Sequence, residues 1–304
     1  MIFPEKLKKG DKVAIVAPSS PVTQQEADHS RKFLENMGYK VRMGRSTYKS
    51  LHGYKAGTGE ERARDINEMF SDKEVKAIFC IRGGDTSSHV IDKIDLNIVK
   101  NNPKIFVGYS DVTNLNVYFN QKADMVTFHG PMVKSNMIND FDDFSRESFK
   151  NAINMGDELY LKNPEGQDFR VICDGTAEGT IVGGNLSLLT SMIGTPYEID
   201  TKDKVLFFED IHENITKVDR MLYQLKFSNK INDAAAIIIG DFLECKNHRD
   251  PSYGIDDLMK EFFEGLSKPV MYNIKCGHCI PTSTIPLGTM CEVDSLNKTI
   301  KFKK

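Results

Sequence analysis

Three short aliphatic segments, each ended by turn-forming residues, constrain the fold of this chain more than any other feature. They span residues 12–18, 77–81 and 104–108. A continuous apolar run of this length is typical of a strand buried on both faces of a parallel sheet. Between them, residues 26–38 and 60–70 place apolar side chains at helical spacing. The alternation predicts an α/β first half, built as a doubly wound parallel sheet with helices on both faces.

The second half of the chain differs in character. A polar stretch follows Pro131, and a glycine-rich segment spans residues 175–185. Apolar runs at 205–208 and 235–239 enclose a helical pattern, and the last residues have the pattern of a hairpin. We predict a flavodoxin- or Rossmann-like N-terminal domain followed by a C-terminal mixed α/β domain. The predicted bounds are 1–150 for the first domain, 151–170 for a linker and 171–304 for the second domain.

Composition excludes several classes of protein. The 304 residues carry 43 acidic and 40 basic side chains, a net charge of −3, which argues against a nucleic-acid partner. The longest aliphatic run, residues 234–240, is too short to cross a membrane. The N-terminal residues lack the apolar stretch of a secretory signal, and six cysteines are too few for a disulfide framework. We therefore expect a cytoplasmic protein with reduced thiols and no membrane partner.

Ser110 is the first candidate catalytic residue. It lies in Val107-Gly-Tyr-Ser-Asp111, where a predicted buried strand runs directly into a predicted helix. A serine at such a turn presents its hydroxyl at the carboxyl edge of the sheet, where the helix N-terminus stabilises negative charge. This arrangement resembles a nucleophile elbow, although the G-x-S-x-G pattern is absent because Val112 replaces the second glycine. An ordinary helix N-cap is the alternative interpretation.

The loop Arg82-Gly-Gly84 follows the preceding predicted strand. Loops at the carboxyl ends of neighbouring parallel strands meet at one crevice, and glycines let backbone N–H groups approach a ligand there. The N–H groups of Gly84 and Asp111 can then form an oxyanion hole. A simple tight turn is the alternative. No G-x-G-x-x-G sequence is present, so the loop does not predict a dinucleotide site.

A nucleophilic serine requires a base and an acid that orients the base. His278 lies in a loop shaped by a neighbouring glycine and proline. Glu209 ends a strongly apolar predicted strand, where a buried carboxylate requires a partner, and Glu213 is the competing acid. His129 is interpreted as a structural histidine at a strand end or as a residue lining the crevice.

Cys276-Gly-His-Cys279 has the spacing of a redox motif. A redox pair begins a helix after the first strand of its domain, whereas this pair lies near the C-terminus with two prolines after it. A zinc site formed with Cys245 or His248 is a further alternative, but a single Cys-x-x-Cys pair is weak support for one. The favoured interpretation is two reduced thiols beside the candidate base.

An ordered series of motifs resembles the LD-carboxypeptidase family of serine peptidases, which includes the microcin-immunity peptidases. The likeness runs nearly end to end. The matching motifs are Gly10-Asp-Lys-Val-Ala-Ile-Val-Ala-Pro-Ser-Ser-Pro21, Arg82-Gly-Gly84, Asn102-Pro-Lys-Ile-Phe-Val-Gly-Tyr-Ser-Asp111, Thr127-Phe-His-Gly-Pro-Met132, Gly183-Gly-Asn185, Phe207-Phe-Glu-Asp210, Val218-Asp-Arg-Met-Leu222 and Gly277-His278. Each motif is weak alone, but their shared order makes the resemblance specific.

The resemblance implies a Ser-Glu-His triad divided between two domains. By motif position, Ser110 is the nucleophile, His278 the base and Glu209 the orienting acid, so the family pattern favours Glu209 over Glu213. It also implies an oxyanion hole formed by the N–H groups of Gly84 and Asp111. The expected reaction releases the terminal D-alanine of a cytoplasmic murein tetrapeptide by hydrolysis of an L-to-D amide bond through an acyl-enzyme. The resemblance further implies a homodimer and neither cofactor nor metal.

The loop after Gly84 departs from the family pattern. Many carboxypeptidases of the family have Tyr-Gly there, whereas this chain has Asp85-Thr-Ser-Ser88. Immunity-type members have a polar loop but lack the arginine that this chain has as Arg82. The alternatives are therefore a peptidase acting on aminoacyl-nucleotide antibiotics and a non-catalytic protein that binds a small ligand. Arg82 and Asp85 are candidates for binding charged groups of the substrate. Asn185 either caps a helix or contacts the substrate.

Overall fold

Two β-sheets with flanking helices organise the chain in a computed structural model that describes all 304 residues. The strands are β1 Lys12–Val16, β2 Lys40–Met43, β3 Val75–Cys80, β4 Ile105–Val107, β5 Thr127–His129, β6 Glu158–Tyr160, β7 Arg170–Cys173, β8 Thr176–Asn185, β9 Val205–Ile211, β10 Ala236–Leu243, β11 Val270–Tyr272, β12 Ile285–Leu287, β13 Met290–Asp294 and β14 Thr299–Lys303. The helices are α1 Gln24–Asn36, α2 Gly59–Ser71, α3 Ser88–Ile91, α4 Leu96–Lys100, α5 Thr113–Ala123, α6 Asp143–Ile153, α7 Leu186–Ser191, α8 Ile215–Phe227, α9 Lys230–Asp233 and α10 Ile255–Phe263. None of the helices combines the length and hydropathy needed to cross a lipid bilayer.

The first sheet has the strand order β12-β5-β4-β3-β1-β2. Its strands are parallel except β12, which pairs antiparallel with β5. Along β3, Ile78 and Cys80 enter one apolar core while Ala77 and Phe79 enter another on the opposite face. Both faces are therefore covered, as a continuous apolar run requires. This confirms the predicted α/β sheet with helices on both sides.

Local signals start the two long helices that cover this sheet. Thr23 caps α1 and Thr58 caps α2, and each accepts a hydrogen bond from the backbone N–H three residues on. The side chains of Glu26 and Glu61 each accept a hydrogen bond from the backbone N–H of the cap threonine, which completes a capping box. The helices thus begin where their N-terminal N–H groups find acceptors in the local sequence.

The second sheet has the strand order β6-β14-β13-β8-β9-β10-β11-β7. Its central strands β8 to β11 are parallel, and the outer strands pair antiparallel. Leu206 and Phe208 of β9 pack in one core, and Phe207 packs in a second core on the other face. This confirms the predicted mixed α/β architecture. The glycine-rich segment is strand β8, which its sequence did not predict because it lacks regular apolar alternation.

The predicted domain bounds remain a prediction, and three features of the structure bear on them. Helix α6 continues to Ile153, past the predicted end of the first domain, and β6 lies within the predicted linker yet pairs with β14. Strand β12, from the predicted second domain, pairs with β5 of the first sheet. The chain therefore returns to the first sheet before it ends in the β13–β14 hairpin.

Candidate active site

The candidate site lies at the carboxyl edge of the first sheet. The order of its parallel strands, β2-β1-β3-β4-β5, is that of a flavodoxin-like sheet, in which ligands bind outside the carboxyl ends of the strands near the β1–β3 switch point. Residues Pro18 to Ser20 follow β1, residues 82–87 follow β3, and Ser110 follows β4. The topology therefore brings these three loops together at the carboxyl edge of the sheet.

Ser110 occupies a strained turn between β4 and α5. Its φ is +61°, a left-handed value that costs a residue with a side chain about 1–3 kcal/mol. One short 3₁₀ turn, Ser110–Val112, leads directly into α5. The side chain is partly exposed, and the serine does not cap the helix with its side chain. The ordinary N-cap interpretation of Ser110 is therefore wrong, and the turn has the character of a nucleophile elbow.

Asp111 links the turn that carries Ser110 to the loop after β3. Its buried carboxylate accepts hydrogen bonds from the backbone N–H groups of Thr86 (2.9 Å) and Ser87 (2.7 Å). The Ser87 hydroxyl donates in return to the Asp111 carbonyl oxygen at 2.6 Å. Burial raises the pKa of Asp111, although hydrogen bonds from Ser19, Ser87 and Thr86 oppose that rise. These contacts fix the loop after β3 relative to the serine turn.

Gly84 lies where no other residue fits without strain. Its φ is +149°, and a Cβ atom there would overlap the hydroxyl groups of Ser19 and Ser20. The preceding Gly83 borders the nucleophile candidate, since a Cβ on Gly83 would lie 3.1 Å from Ser110 Oγ. The N–H groups of Gly84 and Asp111 make no hydrogen bond to a backbone acceptor. Both N–H groups, one from each of two neighbouring loops, are thus available to an oxyanion.

Glu209 and His278 form a direct pair. His278 Nδ1 lies 2.7 Å from Glu209 Oε2, and the glutamate is wholly buried at the end of β9. Gly277 makes this approach possible, because a Cβ there would overlap the Glu209 carboxylate. Burial opposes the positive charge of His278, but attraction to Glu209 and the shared hydrogen bond outweigh it, so the pKa of His278 is raised above 6.5. A carboxylate that orients an imidazole in this way favours proton uptake at its other nitrogen.

Asn185 and Asp210 hold Glu209 from behind. Asn185 Nδ2 donates to Asp210 Oδ1 at 2.9 Å and lies 3.3 Å from Glu209 Oε1. Its Oδ1 accepts the N–H of Leu188 and so caps α7, which was one of the two interpretations of this residue. Asp210 also accepts hydrogen bonds from the N–H and hydroxyl of Ser187. Sequence reasoning missed Asp210, although two successive acids at the end of an apolar strand were the available signal.

Tyr109 brings the two sides of the site together. Its ring packs edge-on against the His278 ring, with centroids 4.8 Å apart, and its hydroxyl accepts a hydrogen bond from Asn136 Nδ2. The residue directly before Ser110 therefore contacts the imidazole that Glu209 orients. The one side-chain hydrogen bond of His278 is that with Glu209. A base that lacks a bond to its nucleophile in the free enzyme often gains it when substrate binds.

The other residues predicted from the sequence are Arg82, Asp85 and Glu213. Arg82 is half-buried, with Nη1 3.4 Å from the Pro21 carbonyl oxygen, and Asp85 is exposed in the same loop. Glu213 pairs with Lys217 at 3.1 Å, one helical turn away, rather than with His278. The geometry therefore favours Glu209 over Glu213 as the partner of His278.

Cys276 and Cys279 are free, buried thiols beside His278. Burial raises the pKa of Cys279 to about 12, and the Cys276 thiol donates to the Ser283 carbonyl oxygen at 3.2 Å. Redox cysteines have lowered pKa values, so these thiols have the opposite character. The structure also brings no three His, Cys, Asp or Glu side chains into a metal-binding group. The interpretation of the pair as reduced structural thiols fits this environment.

The fold and the site define a class of two-sheet α/β proteins in which the residue before a serine at a strand-to-helix turn packs against the histidine of a Glu–His pair. Comparison of sequences identifies the family. Residues 13–130 match the LD-carboxypeptidase N-terminal domain, and residues 178–293 match the LD-carboxypeptidase C-terminal domain. The chain therefore belongs to the LD-carboxypeptidase family of peptidases, as the sequence motifs predicted.

Named relatives fall in two groups. The chain is 39% identical over 298 residues to the probable murein peptide carboxypeptidase of Bacillus subtilis (strain 168), covering 97% of this chain and 92% of the relative. The muramoyltetrapeptide carboxypeptidase of Oxalobacter formigenes has a similar structure, with a TM-score of 0.83, 30% identity and coverage of 96% and 97% of the two chains. The microcin C7 self-immunity protein MccF, in its wild-type apo state, has a TM-score of 0.90, 26% identity and coverage of 100% and 99%.

Proposed function

We propose that this protein is a serine-type LD-carboxypeptidase that hydrolyses the L-to-D amide bond of murein tetrapeptides and releases the terminal D-alanine. The observation that carries the proposal is the 2.7 Å contact between His278 Nδ1 and Glu209 Oε2, on a histidine packed against the residue that precedes Ser110. The 39% identity to a probable murein peptide carboxypeptidase supports the choice of substrate class.

The proposed reaction has two acyl-transfer steps. Ser110 Oγ attacks the carbonyl carbon of the scissile amide as His278 Nε2 takes the hydroxyl proton. The N–H groups of Gly84 and Asp111 stabilise the oxyanion, and Glu209 stabilises the imidazolium. The C–N bond breaks as His278 gives its proton to the D-alanine amine. Water then attacks the acyl-enzyme as His278 takes its proton, the ester bond to Ser110 Oγ breaks, His278 returns the proton to that oxygen, and the tripeptide leaves with a new carboxylate.

Substrate contacts belong to the loop after β3. Arg82 is suited to the terminal carboxylate of the peptide because a guanidinium binds carboxylates in a fixed two-point geometry. Asp85 is exposed in the same loop and is suited to an amino group of the substrate. Asn185 is assigned to the positioning of Glu209 instead, because its amide is engaged by Glu209, Asp210 and the N–H of Leu188.

The setting of the proposed reaction is the cytoplasm, and the proposed assembly is a homodimer. Six free, buried cysteines support a reducing compartment, because thiols persist where disulfides are kept reduced. The homodimer rests on the family resemblance.

Hydrolysis of nucleotide-linked antibiotics is a second candidate function. Two observations favour it: the polar loop from Asp85 to Ser88, and the likeness of the whole chain to MccF, which has been solved with adenosine monophosphate and with aspartyl sulfamoyl adenosine. The ratio of kcat/KM for an L,D-tetrapeptide to that for an aspartyl sulfamoyl adenosine decides between the two. A ratio well above one supports the murein substrate, and a ratio well below one contradicts it.

Loss of the serine hydroxyl tests the nucleophile. Ser110→Ala is expected to lower kcat for release of D-alanine by about 10³-fold or more, because the covalent route is lost while the oxyanion site remains. Ser191→Ala, on the exposed face of α7, is the matched control and retains wild-type turnover. Equal turnover by Ser110→Ala and the control would exclude the mechanism. Tight binding of the peptide with no turnover by the wild type would instead indicate a non-catalytic binding protein.

A further inference from the structure

His129, the last residue of β5, is buried without a hydrogen-bond partner. Its side chain is 1% exposed, and neither ring nitrogen has a partner. The ring lies between two aromatic side chains, with centroids 5.5 Å from Tyr109 and 5.1 Å from Phe207. A phenyl ring would fill this apolar space without burying two unpartnered nitrogens, so packing alone does not account for a histidine here.

The ring of His129 lies near Oε1 of Glu209, the carboxylate oxygen that His278 does not bind. Its Nε2 lies 4.0 Å from Oε1, whereas His278 holds Oε2. The one hydrogen-bond donor to Oε1 in this structure is Asn185 Nδ2, at 3.3 Å, which is long for such a bond. One carboxylate thus lies between two histidines, and its second oxygen is weakly held.

The two histidines have opposite electrostatic character. Burial lowers the pKa of His129 to about 3, and proximity to His278 acts in the same direction, whereas the pKa of His278 is raised. A neutral imidazole that faces a carboxylate carries its proton on the nearer nitrogen, which is Nε2 here. The titratable groups near this carboxylate are His278, His129, Asp210, Tyr109, Cys245, Cys276 and Cys279, and the ion pair of Asp241 and Lys275 lies near Cys279. Among them, His129 is the imidazole whose Nε2 lies 4.0 Å from Oε1.

We propose that His129 is a positioning residue for the peptidase reaction: its Nε2–H donates to Glu209 Oε1 and holds the carboxylate so that Oε2 stays on His278 Nδ1. The inference rests on the proposed function. The contact must shorten by roughly 1 Å to become a direct hydrogen bond, which is the tightening that catalytic contacts undergo when substrate binds. Because His129 stays uncharged, the proton taken from Ser110 remains on His278.

A shape-matched pair of variants tests this role. Glutamine at position 129 can present an amide N–H near the place of Nε2, whereas methionine has a similar length and no donor. His129→Met is expected to lower kcat by about tenfold with KM changed less than about twofold, and His129→Gln to recover most of that loss. His129→Phe replaces the methionine variant if the latter does not fold.

A second readout is independent of turnover. In the Ser110→Ala background with the L,D-tetrapeptide bound, the NMR titration of His278 is followed with histidine, glutamine or methionine at position 129. Without a donor on Oε1, Glu209 attracts the imidazolium more strongly, so the midpoint of His278 rises in His129→Met and stays near wild type in His129→Gln. Equal kcat values for the two variants, or an unchanged His278 midpoint in His129→Met, overturn the inference. Failure of the proposed function is recognised separately, by retained turnover in Ser110→Ala.

Discussion

The two sides of the site are held by different physical means. On the side of the first sheet, backbone geometry sets Ser110: its φ of +61° fixes the turn, and Asp111 ties the flanking loop through two backbone N–H groups. On the side of the second sheet, a buried carboxylate sets His278 through a 2.7 Å contact and raises its pKa. The Asp111 carboxylate thus fixes the structure of a loop, whereas the Glu209 carboxylate serves proton transfer by His278. Two buried carboxylates, Asp111 and Glu209, allow that difference to be measured.

The largest expected effect is the loss of charge at Glu209. Glu209→Gln keeps the size of the side chain but removes the charge that stabilises the imidazolium, so kcat is expected to fall by about 10³- to 10⁴-fold. Glu213→Gln, whose side chain pairs with Lys217 instead, is the matched control and should keep wild-type kcat. Steady-state release of D-alanine measures both. A larger loss in Glu213→Gln than in Glu209→Gln would reverse the assignment of the acid.

Loss of charge at Asp111, on the side of the first sheet, is expected to lower the free energy of unfolding. Asp111→Asn can keep both backbone hydrogen bonds, because the N–H groups of Thr86 and Ser87 donate to the same oxygen. It removes a negative charge near the fully buried Arg62, so we expect a loss of roughly 1–3 kcal/mol in the free energy of unfolding. The kcat of the folded enzyme should stay within about tenfold of wild type. Denaturant unfolding and steady-state kinetics measure the two quantities.

The outcome that would break the comparison is a loss of kcat in Asp111→Asn as large as that in Glu209→Gln. Asp111→Ala is a second test of the role of the Asp111 carboxylate in fixing the loop. Alanine leaves both N–H groups without their carboxylate acceptor and frees the loop that carries Gly84, so this variant should lose more kcat than Asp111→Asn.

The smallest expected effect is a shift along the pH axis. The free enzyme needs neutral His278, whose pKa is raised, so kcat/KM should rise with pH and reach half its maximum above pH 6.5. A raised pKa also means that the folded state binds this proton more tightly than the unfolded state. The stability from this group is therefore full below pH 6.5 and lost as pH rises through the raised value.

Glu209→Gln should move the midpoint of the kcat/KM profile to lower pH. Without the Glu209 charge, the burial that lowers the pKa of His278 is opposed by the weaker attraction of Asp210 and Asp241, so the residual kcat/KM of this variant should reach half-maximum at a lower pH than the wild type. Asp111→Asn leaves the midpoint in place. An equal shift in both variants would show that the two sides are not electrostatically distinct.

Sequence reasoning located β1, β3 and β4 of the first sheet and the helices α1 and α2, because each of the three apolar runs is long enough to specify a buried strand by itself. It did not predict β8, which is rich in glycine, or β12, which contains a proline, because such strands are set by their partners rather than by their own pattern. Likewise, Ser110, Glu209 and His278 lie in recognisable motifs. The contacts of Tyr109, Asp210 and His129 were not predictable, because they join residues far apart in the chain that meet only when the two sheets pack.

The central claim, that Ser110 is the nucleophile, is tested most directly by trapping the acyl-enzyme. The protein is mixed with an L,D-tetrapeptide, quenched in acid within the first turnover, digested and mapped by mass spectrometry. We predict a tripeptide acyl group on Ser110 in the wild type and no acyl group in Ser110→Ala. An acyl group on any other residue, or release of D-alanine by Ser110→Ala at the wild-type rate, would contradict the claim.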